Sequence, residues 1–138
     1  HGDTTMIPLT SKATIKGVPA SQFLSKKKLA QVAADTMVGG ATLTGLLGTS
    51  AWYAPGAAAA SMVEAILGDQ KRVIPCGCYL EGEYGQEDIM IGVPAVIGRK
   101  GIEKIVQIDL TKEEQAQFEA SAAAVRKVNQ ILYDTKAI

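Results

Sequence analysis

The sequence predicts an α+β fold in which one layer of antiparallel sheet is covered by helices. Apolar residues recur at helical spacing near both ends of the chain, over residues 29–37 and 118–132. Between them lie three runs rich in β-branched residues, at 73–80, 89–97 and 102–108, joined by connections that carry glycine and charge. Because short connections join antiparallel neighbours, these runs predict a three-stranded meander packed against long helices.

The segment before the first helix predicts a short N-terminal strand. Residues 4–9 are apolar and strand-like, although Pro8 interrupts them. Ser25 is a candidate N-cap for the helix that follows. Gly39 and Gly40 are expected to weaken or kink that helix, because each glycine costs about 1 kcal/mol relative to alanine.

Two further helices have recognisable start signals. Pro55 suits the first turn of a helix whose residues 56–67 are small or apolar on every side except at Glu64, which predicts a buried helix. Thr111 followed by Glu114 forms a capping box that begins the last helix. The apolar face of this last helix carries Phe118, Ala122, Val125, Val128 and Leu132.

Length and composition are those of a single domain. The chain has 138 residues, no net charge and 47% hydrophobic residues, and about 100–150 residues is the commonest domain size. Balanced charge argues against nucleic-acid and polybasic membrane contacts, and no apolar run reaches the ~18 residues of a membrane span. Two cysteines and one histidine exclude a zinc finger built within one chain and a disulfide scaffold, so no metal is expected.

The two cysteines, Cys76 and Cys78, are separated only by Gly77. On a strand they share one face but stand two residue rises apart, ~6.6 Å, which is beyond comfortable side-chain bridging. We interpret them as small buried residues in a reducing compartment, which predicts a cytoplasmic protein. The chain begins at His1 without a visible targeting peptide and reads from its start like the interior of a longer protein.

Motifs that would name a reaction by themselves are missing from the sequence. The glycine spacing from Gly40 to Gly45 is that of a phosphate loop, but the lysine and hydroxyl that would bind phosphate and Mg²⁺ are not there. The acidic connection at 81–88 does not have the spacing of a calcium loop and is better explained as a solvated turn. His1 remains, as the one side chain whose ordinary pKa lies near neutral pH, although a terminal histidine is more often a bystander.

A series of short motifs nevertheless runs along the whole chain in a fixed order. It begins with His1-Gly2-Asp3 and the segment at 6–9, and it continues with Gly17-Val18-Pro19, the glycine pair 39–40, and residues 50–55, 62–67, 71–75, 79–85, 91–95, 101–105 and 121–122. In this order and at nearly these spacings the motifs resemble the C-terminal domain of the lactate/malate dehydrogenase family. Residues 50–55 and the alanine-rich helix after them look most like its malate-oxidising branch.

The resemblance implies an NAD-dependent enzyme that oxidises malate to oxaloacetate reversibly. It implies that residues 1–138 form the C-terminal substrate and catalytic domain, with the NAD-binding Rossmann domain absent and no cofactor-binding residue in this chain. His1 is then the catalytic proton acceptor and donor. Ser50 and Ala51 line the substrate pocket, where a small residue at Ala51 leaves room for the second carboxylate of a diacid. A homodimer or homotetramer with a small-molecule substrate is also implied.

Two alternatives stay open beside this interpretation. The first is the same domain of an L-lactate dehydrogenase, because the substrate-loop residue that selects between the two acids, Arg for a dicarboxylate and Gln for a monocarboxylate, lies outside this chain. The second is a non-catalytic interaction domain that kept the fold and lost the chemistry. Ser50 and Ala51 could also simply pack at a helix start.

Overall fold

The computed structural model describes residues 5–135 of the chain, which form three α-helices and two antiparallel sheets. The helices are α1 (Lys26–Leu47), α2 (Tyr53–Leu67) and α3 (Lys112–Asp134). The small sheet pairs β1 (Thr14–Ile15) with β2 (Val18–Pro19), and the larger one contains β3 (Arg72–Glu81), β4 (Glu87–Gly98) and β5 (Gly101–Ile105). The larger sheet has the order β3-β4-β5, so the predicted three-stranded meander is confirmed.

The chain divides into two compact units. The first contains the residues up to Ser50 together with Leu110–Ser121, and the second contains Ala51–Asp109 with the residues from Ala122 onward. In the first unit Ala20 and Phe118 are buried. The second unit contains the larger sheet and α2, so most of the buried apolar residues belong to it.

The short N-terminal strand lies later in the chain than the sequence predicted. Residues 5–9 form no strand, because the chain turns at Pro8, whose carbonyl accepts a hydrogen bond from the N–H of Thr10 at 2.8 Å. The short strands are instead β1 and β2, with Thr14 opposite Pro19. Proline lacks the N–H that a strand needs, which explains why residues 5–9 do not join a ladder.

Helix α1 begins at the predicted N-cap and runs past the glycine pair. The hydroxyl of Ser25 accepts a hydrogen bond from the N–H of Lys28 at 3.3 Å. Gly39 and Gly40 do not break the helix, which ends only at Gly48 in a left-handed conformation with φ of 68°. A continuous helix is compatible with the predicted weakening, because glycine lowers helix stability without blocking helix geometry, unlike proline.

Both α1 and α2 expose apolar side chains. No residue of α1 is buried, and Leu46 is 80% exposed. Within the described residues 5–135, Ala65 is the only fully buried residue of α2. The prediction that residues 56–67 form a buried helix is therefore wrong there. An apolar pattern indicates that a helix suits a covered position, but it does not say which segment supplies the cover. Within the same residues, no helix is both long and apolar enough to span a bilayer.

The core of the second unit lies on one face of β3 and β4. Side chains alternate between faces along each strand, as the period of two requires, and α2 packs against β4 with Ala65 fully buried. The buried apolar side chains of the two strands are those of Cys78, Leu80, Ile89, Ile91, Val93, Ala95 and Ile97.

A pair of prolines shapes the backbone hydrogen bonding of this sheet. Pro75 on β3 lies directly opposite Pro94 on β4. The carbonyl of Pro94 accepts from the N–H of Val106 at 2.8 Å, so the polar backbone side of Pro94 faces β5 and that of Pro75 faces the open edge. Pro94 has no N–H to return to the carbonyl of Val106, and the hydroxyl of Tyr84 donates to that oxygen instead, at 2.6 Å.

Tyr84 also determines where β5 ends. Its hydroxyl accepts from the N–H of Ile108 at 3.1 Å, and its own N–H donates to the side-chain oxygen of Gln107 at 3.0 Å. Because the N–H of Ile108 is used in this way, the strand ends at Ile105 instead of continuing to Ile108 as predicted. Burial raises the pKa of Tyr84, and the weaker opposing effect comes from the hydrogen bond with Ile108.

We expect Tyr84→Phe to lower the free energy of unfolding by about 1 kcal/mol, the usual net worth of a hydrogen bond. The Val106 carbonyl then loses the hydroxyl that donates to it, and Pro94 cannot replace that donor because it has no N–H. Tyr79→Phe is the matched control, because the Tyr79 hydroxyl bonds only at the surface, to Asp88 at 2.9 Å. Urea titration of both variants measures the difference in the free energy of unfolding.

A Pro94→Ala background, which restores an N–H, gives a second test. There Tyr84→Phe should lower the free energy of unfolding by less than in the wild type. Equal losses in both backgrounds would contradict this explanation.

Candidate functional site

The structure places two of the three predicted site residues. Ser50 is exposed and Ala51 is half-buried, and they are consecutive residues in the connection between α1 and α2. The predicted catalytic residue, His1, lies outside the described residues. Ser50 and Ala51 therefore lie side by side in one loop. That His1 lies near them stays a prediction.

The loop that carries Ser50 and Ala51 is bounded by two helix ends. Gly48 ends α1 in its left-handed conformation, and α2 begins at Tyr53, with Trp52 as an N-cap that makes no side-chain capping bond. The Trp52 and Tyr53 side chains are 63% and 83% exposed. The loop thus offers the hydroxyls of Thr49 and Ser50, which can donate and accept hydrogen bonds, beside the Ala51 methyl group, which is small enough to leave space for a ligand.

The segment that follows His1 is tied to α3 at two points. The hydroxyl of Ser121, which is buried, donates to that of Thr5 at 3.3 Å. The hydroxyl of Ser11 donates to the carboxylate of Glu114 at 2.9 Å. These contacts attach residues 5 and 11 to α3, and the sequence did not reveal them because the partners are more than a hundred residues apart.

Glu114 combines this contact with the capping box that begins α3. Its carboxylate accepts from the N–H of Thr111 at 2.9 Å, and its own N–H donates to the Thr111 hydroxyl at 3.2 Å, so the predicted capping box is confirmed. Burial alone would raise the pKa of Glu114. The hydrogen bonds from Thr111 and Ser11 outweigh that effect and hold the pKa below its ordinary value of 4.5.

The acidic connection between β3 and β4 uses its carboxylates to build the turn. Glu83 accepts from the N–H of Glu81 at 2.8 Å, and this bond lowers the pKa of Glu83. Asp88 accepts from the hydroxyl of Tyr79, which raises the pKa of Tyr79. Over residues 5–135 no three His, Cys, Asp or Glu side chains are grouped so that they could hold a metal ion.

A second charged cluster lies where β3 begins. The ammonium of Lys71 is 2.7 Å from a carboxylate oxygen of Glu103 and 3.0 Å from one of Asp69. The hydrogen bond to Glu103, and after it that to Asp69, raises the pKa of Lys71. Asp69 also accepts from the N–H of Arg99 at 2.8 Å, which closes the turn after β4. Such exposed pairs contribute little to stability, and here their role is to fix the turn.

Comparison with known proteins gives one consistent result. Residues 1–132 match the model of the lactate/malate dehydrogenase alpha/beta C-terminal domain. The malate dehydrogenase of Bacteroides thetaiotaomicron is 64% identical over 138 residues, which are 100% of this chain and 44% of that protein. The malate dehydrogenase of Flavobacterium johnsoniae is 64% identical over 132 residues, 96% of this chain and 42% of that protein.

Solved structures agree with the sequence relatives. The malate dehydrogenase of Salinibacter ruber has a TM-score of 0.90 and 44% identity, covering 99% of this chain and 45% of that one. The lactate dehydrogenase of Eimeria maxima with NADH and oxamate has a TM-score of 0.93 and 36% identity, covering 99% and 44%. The chain thus spans less than half the length of the relatives it matches, and the predicted α+β fold of this domain is confirmed.

Proposed function

This chain belongs to the lactate/malate dehydrogenase family, as its alpha/beta C-terminal domain, and we propose that the protein carrying it oxidises malate to oxaloacetate reversibly with NAD. One observation supports malate most directly. The malate dehydrogenase of Bacteroides thetaiotaomicron is 64% identical over the whole chain, whereas the lactate dehydrogenase of Eimeria maxima is 36% identical over 99% of it.

In this proposal the chain contributes the proton transfer. Oxidation of the malate hydroxyl requires a base whose pKa is close to the working pH, and the imidazole of His1 meets that requirement. In the reverse direction the imidazolium returns the proton to the oxaloacetate carbonyl. A carboxylate that orients the ring is expected, as in other histidine-dependent sites, and no acidic residue of this chain is assigned to that role.

The residues of this chain do not fit the dinucleotide. A phosphate-binding glycine loop lies in the turn between a strand and a helix, whereas Gly40 and Gly45 lie inside the uninterrupted helix α1. We therefore propose that NAD is bound mainly by parts of the protein outside this sequence. The hydride transfer is not assigned to any residue of this chain.

The substrate contacts are proposed for Ser50 and Ala51. Ala51 is half-buried in its loop, and the small side chain is what a four-carbon diacid would need beside it. We expect Ala51→Leu, which adds several carbon atoms, to lower kcat/KM for malate by at least about 10–200-fold, the range for a misfit of one methylene group in a pocket. Ala54→Leu makes the same change at an exposed position three residues away and is the control. Equal kcat/KM values for the two variants would remove Ala51 from the pocket.

A direct assay separates the proposed activity from its alternatives. Full-length protein is mixed with NAD and either malate or L-lactate, and the appearance of NADH is followed by absorbance. We expect turnover with malate to exceed turnover with lactate. A preference for lactate would favour the L-lactate dehydrogenase alternative, and an absence of turnover with both acids would favour a non-catalytic interaction domain.

We also propose a homodimer or homotetramer and a cytoplasmic location. The exposed apolar side chains of α1, among them Leu43 and Leu47, are suited to contact with a second copy of the chain. The two free thiols, Cys76 and Cys78, fit a reducing compartment.

A further inference from the structure

The two cysteines lie closer together than strand geometry alone suggested. Their sulfur atoms are 3.8 Å apart, although two residue rises along a strand measure ~6.6 Å. Both are free thiols on β3, opposite Val93 and Ile91 of β4. Among the described residues 5–135, Cys78 is fully buried. Cys76 is only half-buried there, so a small molecule in solution can reach its sulfur.

Gly77 gives the strand the freedom to close this gap. A disulfide requires the sulfurs at about 2.05 Å and the Cα atoms within about 6.8 Å, and two extended residue rises of ~6.6 Å lie at the upper end of that range. Gly77 has no Cβ and bends more easily than any other residue. The nearest heavy atom to a Cβ added there is the Cγ of Met90, at 4.0 Å, so the surroundings leave space for the bend.

We propose that Cys76 and Cys78 form a redox-responsive dithiol that a hydroperoxide converts to an intrastrand disulfide. The Cys76 sulfur attacks a peroxide oxygen; an S–O bond forms, the O–O bond breaks, and water or an alcohol leaves with the Cys76 proton. The Cys78 sulfur then attacks the resulting sulfenic acid; the S–S bond forms, the S–O bond breaks, and water leaves with the Cys78 proton. In total, two thiols and one hydroperoxide give a disulfide, water, and a second water or an alcohol.

The environment of each sulfur assigns the order of these steps. Burial, with a smaller contribution from the neighbouring Cys76, raises the pKa of Cys78 to about 11. Since the thiolate is the nucleophile and Cys78 is fully buried, Cys78 reacts with oxidant in solution more slowly than the more exposed Cys76, and the sulfur nearest to it is that of Cys76, at 3.8 Å. Closing the bond bends β3 at Gly77 and strains its pairing with β4, and strained disulfides are the readily reduced ones. The disulfide should therefore be reversible.

Peptide mapping of the full-length protein tests the proposal. The protein is treated with hydrogen peroxide, its remaining thiols are alkylated, and it is digested with trypsin. Residues 73–99 contain both cysteines and no internal lysine or arginine, so one peptide reports on the pair. We expect this peptide to lose two hydrogens and to escape alkylation, and dithiothreitol should reverse both changes. Gly77→Ala should slow formation of the disulfide several-fold without slowing the first oxidation of Cys76.

Single-cysteine variants distinguish the two sulfurs. Cys78→Ser should stop at a sulfenic acid on Cys76 that dimedone traps, and Cys76→Ser should leave Cys78 unmodified under the same treatment. Phenylarsine oxide, which condenses with paired thiols, should label the reduced protein once per peptide and fail to label either variant. Three results would overturn the proposal: full alkylation of both cysteines after peroxide, a disulfide that links two chains, or a Cys76 that proceeds to sulfinic acid while Cys78 is still a thiol.

Discussion

Replacing His1 by glutamine in the full-length protein is expected to lower kcat for malate by about 10²–10⁴-fold, the usual contribution of general acid–base catalysis. Glutamine keeps a side chain able to form hydrogen bonds but cannot take up a proton near neutral pH. NADH affinity should change little, because the proposal assigns NAD binding mainly to parts of the protein outside this sequence. Initial rates followed by NADH absorbance and NADH titration by fluorescence measure the two quantities separately.

The control for His1→Gln is Lys16→Gln, which removes a charge from an exposed position of the same N-terminal region. It should leave kcat unchanged. With an imidazole as the general base, the wild-type pH profile of kcat should also contain an inflection near neutral pH that His1→Gln removes. Undiminished turnover of His1→Gln would exclude His1 from the mechanism.

Replacing Glu114 by alanine is expected to lower the free energy of unfolding by about 2–3 kcal/mol, because hydrogen bonds to a buried charged group are worth about 1.5–3 kcal/mol. The variant loses the contact with Ser11 and half of the capping box with Thr111. Glu113→Ala is the matched control, since Glu113 is exposed and lies in the same first turn of α3. Both changes remove one negative charge near the helix N-terminus, so their difference in urea titration isolates the buried contacts.

The effect of Glu114→Ala should depend on pH. The pKa of Glu114 is lowered in the folded protein, so its carboxylate stabilises the fold above its ordinary value of 4.5 and loses that contribution as the pH falls through the folded-state pKa. The stability gap between wild type and variant should therefore be full at neutral pH and shrink on acidification below 4.5. A gap that is constant from pH 7 to pH 3 would show that packing, and not the charge, is what Glu114 provides.

Local signals in the sequence predicted local structure well. The Ser25 cap, the Pro55 first turn and the box formed by Thr111 and Glu114 are each made by residues within a few positions of one another, and the structure contains all three. The three-stranded meander was predictable for a similar reason, since its connections are short. Family resemblance supplied the chemistry assigned to His1, which no periodicity could have indicated.

Features that depend on distant partners were missed. The strand β5 ends early because Tyr84, more than twenty residues away, takes the N–H of Ile108. The exposure of the apolar residues of α2 was not predicted, because an apolar pattern does not identify which segment covers a helix. The contact between Cys76 and Cys78 depends on side-chain rotamers, which the spacing of Cα atoms along a strand does not fix.

Pro75 has a consequence for the behaviour of this chain at high concentration. β3 is the outer strand of its sheet, and the backbone of Pro75 points away from β4. A strand from another molecule that approached this rim would find no donor at that position, in the first half of the strand. Growth of the sheet by recruitment of further copies, the route to fibrils, is therefore obstructed along β3.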